Sequence, residues 1–157
     1  MRVTSTLNYK FKNKKKMPTT TATISLTNDI SSVPVTVSAS FNLLKAGSTE
    51  GMDQMTSRRK VLKSTDQVDL IPFGDADGAT HNFVYIFNAS TVSTDFITVT
   101  QTDSPGGSST EVIVEQIGRL YAGDWMLIPW GASAAAADIA IKPSTANEMP
   151  IEYILIN

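Results

Sequence analysis

A chain of 157 residues is long enough for one domain with a substantial core, and its lack of cysteine excludes both a disulfide framework and a thiolate metal site. The formal charge of −2 hides a split: six of the 13 basic residues and none of the 15 acidic ones fall within the first sixteen positions. The remainder is an acidic body that repels a polyanion, so a dedicated nucleic-acid binder is disfavoured; segregated charge of this kind governs association and not fold.

The opening carries Arg2, Lys10, Lys12, Lys14, Lys15 and Lys16, and residues 1–16 read as a basic N-terminal arm ahead of a single domain over 17–157. Fully extended, such an arm reaches at most about 53 to 58 Å, far enough to cross onto a neighbouring subunit. The start lacks the apolar core of a signal peptide, and no stretch approaches the roughly 18 apolar residues of a membrane span. A soluble protein made in a cytoplasm, with no membrane partner, is the expectation.

Thr20 to Leu26 reads as a β-branched strand closed by a turn at Asn28 and Asp29. From Val33 to Leu43 apolar and polar residues alternate, which predicts a strand with one buried face, and Pro34 places its start at a sheet margin. Lys45 to Arg58 has no clean period and reads as a long loop. Further strands are predicted at 59–63, 67–72, 82–88, 95–101, 110–120, 125–130, 138–143 and 149–156, about ten in all. Phe83 to Phe87 is apolar at every position, as is most of Trp125 to Trp130, so both read as strands covered on two sides or lying under a partner. Turn formers cluster at 74–78, 104–109 and 122–124, and only Ser133 to Ala137 hints at a helical turn. Many short strands without a crossover helix predict an all-β fold, an antiparallel β-sandwich or jelly roll.

Candidate chemistry is sparse. His81 is the single histidine, and with no cysteine nucleophile or Gly-x-Ser-x-Gly elbow beside it a catalytic triad is not expected. Asp75, Asp77 and Gly78 give the first part of a calcium loop without its remaining ligands. Glu111 and Glu115, four strand positions apart, are separated by about 13 Å, too far for a glycosidase pair. Gly106 and Gly107 lack the lysine of a phosphate loop, and Asn88-Ala89-Ser90 is an incidental glycosylation triplet. Trp125 and Trp130, with Tyr121 and Asp124, have the residue types of an aromatic platform for a sugar, against the simpler reading of a buried strand. No catalytic residue, metal ligand or cofactor is therefore assigned.

Four runs carry a resemblance: Met17 to Leu26 (MPTTTATISL), Leu44 to Lys60 (LKAGSTEGMDQMTSRRK), Glu115 to Gly131 (EQIGRLYAGDWMLIPWG) and Ile151 to Ile156 (IEYILI). From Met17 onward the chain resembles small virion structural proteins of tailed bacteriophages, especially those of cyanobacteria; residues 1–16 depart from that family's usual opening. The resemblance implies a many-copy particle component on the virion surface, in first place a capsid decoration or cement protein that binds and stabilises the major capsid protein lattice. Its implied partners are the major capsid protein, other virion subunits and further copies of itself. A tail, neck or fibre-attachment subunit is the alternative, and a carbohydrate- or receptor-binding sandwich module is a third. The contact residues expected are Lys10, Lys12, Lys14, Lys15 and Lys16 in the arm, Arg58, Arg59 and Lys60 as a second basic cluster, and Tyr121, Asp124 and Trp125 at a strand edge.

Overall fold

The computed structural model describes residues 19–28, 35–76, 81–103, 112–131 and 138–157. The lysine arm, Val33, Pro34, Asp77, Gly78, Glu111, the 104–109 turn and the 133–137 segment lie outside the described residues.

Ten strands form the fold of the described residues: β1 (Thr20–Asn28), β2 (Val35–Leu43), β3 (Met55–Leu62), β4 (Val68–Ile71), β5 (Asn82–Asn88), β6 (Phe96–Asp103), β7 (Val112–Tyr121), β8 (Trp125–Trp130), β9 (Asp138–Pro143) and β10 (Met149–Ile156). Each pairing among them is antiparallel. From β3 onward the pairs nest: β6 with β7, β5 with β8, β4 with β9 and β3 with β10. One long hairpin is thus folded over on itself, and the ladders β10–β5 and β9–β6 stitch it laterally. The result is two four-stranded sheets, ordered β3-β10-β5-β8 and β4-β9-β6-β7. That strand order is the eight-stranded jelly roll, so of the two all-β architectures predicted the more specific one is adopted.

Alternation explains why these segments pair as they do. In β5 burial switches at every position, with Asn82, Val84, Ile86 and Asn88 inward and Phe83, Tyr85 and Phe87 on the outer side. Val84, Ile86, Ile97, Val99, Ile141 and Ile151 are all completely buried between the sheets. Each such side chain contributes about 1.5–3 kcal/mol of burial free energy, which makes this inner layer the chief stabilising term.

The stretch expected as a loop from Lys45 to Arg58 is shorter in the structure, because its last four residues belong to β3. Polar residues of an edge strand show no apolar period; pairing with β10 fixes them instead. The loop that remains is closed by a bridge between Leu44 and Gly51 and by an ion pair of 2.8 Å between Lys45 and Asp53.

Candidate docking surfaces

β1 and β2 form a two-stranded ribbon that shares no strand pairing with the jelly roll among the described residues. Register sorts its side chains by face over the middle of the ribbon, with polar Thr20 and Asn28 at the two ends of the apolar side. One face carries Ala22 opposite Phe41, Ile24 opposite Ala39 and Leu26 opposite Val37; the other carries Thr21 opposite Asn42, Thr23 opposite Ser40, Ser25 opposite Ser38 and Thr27 opposite Thr36. The polar face is knitted by Thr21 Oγ1 donating to Asn42 Oδ1 at 3.0 Å and by a hydroxyl pair between Thr23 and Ser40 at 3.1 Å. The alternation from Val33 to Leu43 predicted a buried face, and the structure corrects this. Within the chain Leu26 is 57% exposed, Val37 50% and Phe41 44%. Beyond the ribbon base the described residues of the same chain leave that face largely open.

Only the ribbon base is anchored among the described residues. Leu43, Met52 and Ile156 are buried together, with Ala22, Phe83 and Ile154 packed around them, and Thr20 Oγ1 donates to the Met52 carbonyl at 3.2 Å. Phe83, Ile154 and Ile156 belong to the outer face of the β3-β10-β5-β8 sheet. In successive rows across the strands that face presents Met55, Ile156, Phe83 and Pro129, then Ser57, Ile154, Tyr85 and Leu127, then Arg59, Glu152, Phe87 and Trp125. Apart from Ser57 and one ion pair these rows are apolar or aromatic, and Met55 is 67% and Trp125 52% exposed. The outer face of the second sheet is mixed: Thr98, Arg119 and Lys142 share it with Phe96 and Tyr121, and Thr100 and Thr102 on it are buried.

The expected basic cluster on β3 does not form one patch. Side chains alternate along a strand, so Arg58 and Lys60 turn toward the sheet opposite while Arg59 points outward. Arg58 pairs with Asp75 at 3.3 Å, Lys60 donates to the Asp69 carbonyl at 2.9 Å, and Arg59 lies 3.8 Å from Glu152. Arg59 and Glu148 also border an open depression of about 330 Å³ with Val61, Thr91, Val92 and Pro150. Beside it, Lys63 and Glu148 pair at 2.7 Å. Their hydrogen bond and then their mutual attraction push the Lys63 ammonium up and hold the Glu148 carboxyl down.

Tyr121, Asp124 and Trp125 do sit at one strand junction, yet the two rings diverge. Tyr121 lies on the outer face of β7 against Phe96, ring centres 5.2 Å apart, with the Arg119 guanidinium 4.8 Å from the Phe96 centroid. Trp125 lies on the outer face of the other sheet, 6.0 Å from Tyr85. Asp124 shapes the turn: its backbone N–H donates to the Tyr121 carbonyl and its Oδ2 accepts from the Tyr121 N–H, both at 2.9 Å. Gly123 takes φ of 86° at the third turn position, where a side chain is strained. The two-tryptophan platform is not formed, since Trp130 is 3% exposed in the core. Positions 125 and 130 are five apart, an odd spacing that sends them to opposite faces of β8. The same alternation corrects the buried-strand reading of 125–130, whose outer side is open.

Sequence reasoning missed the node that holds this junction. Asn88, set aside as part of an incidental triplet, is fully buried. Its Nδ2 donates to the Leu120 carbonyl at 3.1 Å and the Asp95 carbonyl at 3.4 Å, and its Oδ1 accepts from the Ser90 N–H at 3.1 Å. Ser90 Oγ in turn donates to Asp95 Oδ2 at 2.9 Å. The available signal was an asparagine ending an otherwise apolar strand, with Ser90 and Asp95 soon after it, the residue types that satisfy buried backbone groups at turns. His81 packs edge-on to Phe83, 4.9 Å between centroids. Among the described residues no group of three or more His, Cys, Asp or Glu side chains is placed to hold a metal ion.

Comparison with protein-family models and with curated proteins yields no match. Among solved structures, the crystal structure of the Yersinia pseudotuberculosis-derived mitogen is similar at 14% identity, covering 66% of this chain and 85% of that one with a TM-score of 0.42.

Proposed function

We propose that this chain is a structural subunit of a tailed-bacteriophage particle, and in particular a capsid decoration protein that fastens to the major capsid protein lattice. The observation that carries this reading is the apolar surface left uncovered among the described residues: the ribbon face of Ile24, Leu26, Val37 and Phe41, and the sheet face where exposed Met55 and Trp125 flank half-buried Tyr85 and Leu127. Contiguous exposed apolar faces of this kind mark interaction surfaces. The resemblance of Met17–Leu26, Leu44–Lys60, Glu115–Gly131 and Ile151–Ile156 to phage virion proteins supplies the setting. The lysine-rich opening supplies positive charge to meet an acidic neighbour, an attraction screened over about 8 to 10 Å at ordinary ionic strength. Gold-labelled antibody on intact particles tests the reading: decoration of the head is the expected result, label on the tail favours the neck or fibre alternative, and unlabelled particles overturn both.

Trp125 favours a second reading, a carbohydrate- or receptor-binding module, because an exposed indole beside Tyr85 offers a flat ring for a sugar. Silence on a glycan array removes it.

A further inference from the structure

We propose that β1 and β2 are an exchange arm. The apolar ribbon face of one copy lies across the outer face of the β3-β10-β5-β8 sheet of a second copy, and the second copy returns the contact. A two-stranded hairpin alone is at best marginal in water, so this ribbon needs a surface to lie on. Its strands, TTATISLTN and VTVSASFNL, hold no charged residue, so no buried charge opposes covering the apolar face with another apolar surface. The recipient is indicated by a contact that already exists: at the ribbon base, Ala22 and Leu43 pack with Phe83, Ile154 and Ile156 of that sheet face. The same chemistry continues outward on both surfaces, through Ile24 and Phe41 on the ribbon and through Tyr85 and Leu127 on the sheet.

Dimensions fit. Nine residues per strand make a ribbon about 30 Å long, and four strands spaced at 4.7–4.9 Å make a sheet about 14–19 Å across. Area then decides between one contact and two. A ribbon face about 30 Å by 10 Å buries roughly 600 Å² counting both sides, the size of a lattice contact; two reciprocal contacts bury about 1,200 Å², the lower bound of a stable interface. Reciprocity also closes the assembly, as a two-fold dimer.

The test uses the full chain, measured by light scattering after gel filtration at about 100 μM, above the dissociation constant that an interface of standard size gives. The expected mass is twice 16.9 kDa. Leu26→Asp is expected to give a monomer with an unchanged circular dichroism spectrum, and Ser38→Asp, on the polar ribbon face, to remain a dimer. The cysteine-free sequence allows one more arm. Leu26→Cys and Leu127→Cys chains, mixed and treated with a short bismaleimide, should link to each other. A monomer, an assembly larger than two, a dimer indifferent to Leu26→Asp, or a link between two Leu26→Cys chains overturns the proposal. None of these outcomes bears on whether the chain resides in a virion, which the particle labelling decides separately.

Discussion

Removing the Asn88 amide tests whether the β5 terminus is the staple that holds the β7–β8 turn. Asn88→Ala deletes two donated and one accepted hydrogen bond at a site with no exposure. At about 1 kcal/mol for each neutral bond, with the Leu120 and Asp95 carbonyls then deprived of this donor, the loss comes to about 3–4 kcal/mol. For a chain of this size that is a fall of about 6–16 °C in Tm. Urea unfolding followed by tryptophan emission measures it, and a midpoint shift at unchanged slope identifies a stability loss. Asn88→Asp should cost at least as much, since its carboxylate would face two carbonyl oxygens. A loss below about 1 kcal/mol for the alanine variant would refute the assignment, because a typical single neutral bond alone contributes that much.

Ile141→Ala, in the fully buried layer, should cost about 2–5 kcal/mol in the same assay. Gly123→Ala forces a side chain into positive φ and should destabilise by about 1–2 kcal/mol, with Gly74→Ala, at ordinary φ and in open space, as a mild control. Acrylamide should quench one of the two tryptophans, and Trp125→Phe should abolish the quenchable part, leaving buried Trp130. The Lys63–Glu148 pair has a lowered carboxyl and a raised ammonium. Its support is therefore present between the ordinary carboxylate and lysine ranges, lost as pH falls through the depressed Glu148 value and lost again as pH rises through the elevated Lys63 value. Both side chains are well exposed, so Lys63→Met should lower Tm slightly at neutral pH and not at all at about pH 2.

Strand positions were legible in the sequence wherever burial imposes a period. Asn82–Asn88, Trp125–Trp130, Asp138–Pro143 and Met149–Ile156 coincide with their predicted bounds, because apolar content or turn residues frame them. The start of β3 was not legible, since an edge strand held by β10 has no reason to alternate. Alternation in β2 revealed an apolar face but not what covers it, a property of the assembly and not of one strand. Pairing order is likewise absent from local pattern: that β3 meets β10 and not β4 is decided across the whole chain. At the junction, Tyr121, Asp124 and Trp125 are neighbours in the sequence and read there as one strand edge; the divergence of the two rings to different sheets, which comes from the crossing turn at Gly123, was not legible.

Hydrogen exchange of the ribbon amides, measured from nanomolar to high micromolar protein, tests the central claim that this chain's uncovered apolar faces are assembly surfaces. The account predicts that amides of residues 20–28 and 35–43 exchange fast when dilute and become strongly protected as concentration rises, while those of β5, already paired with β8 and β10, stay protected at every concentration. Exchange that is identical at every concentration, with the jelly-roll core protected throughout, would contradict it.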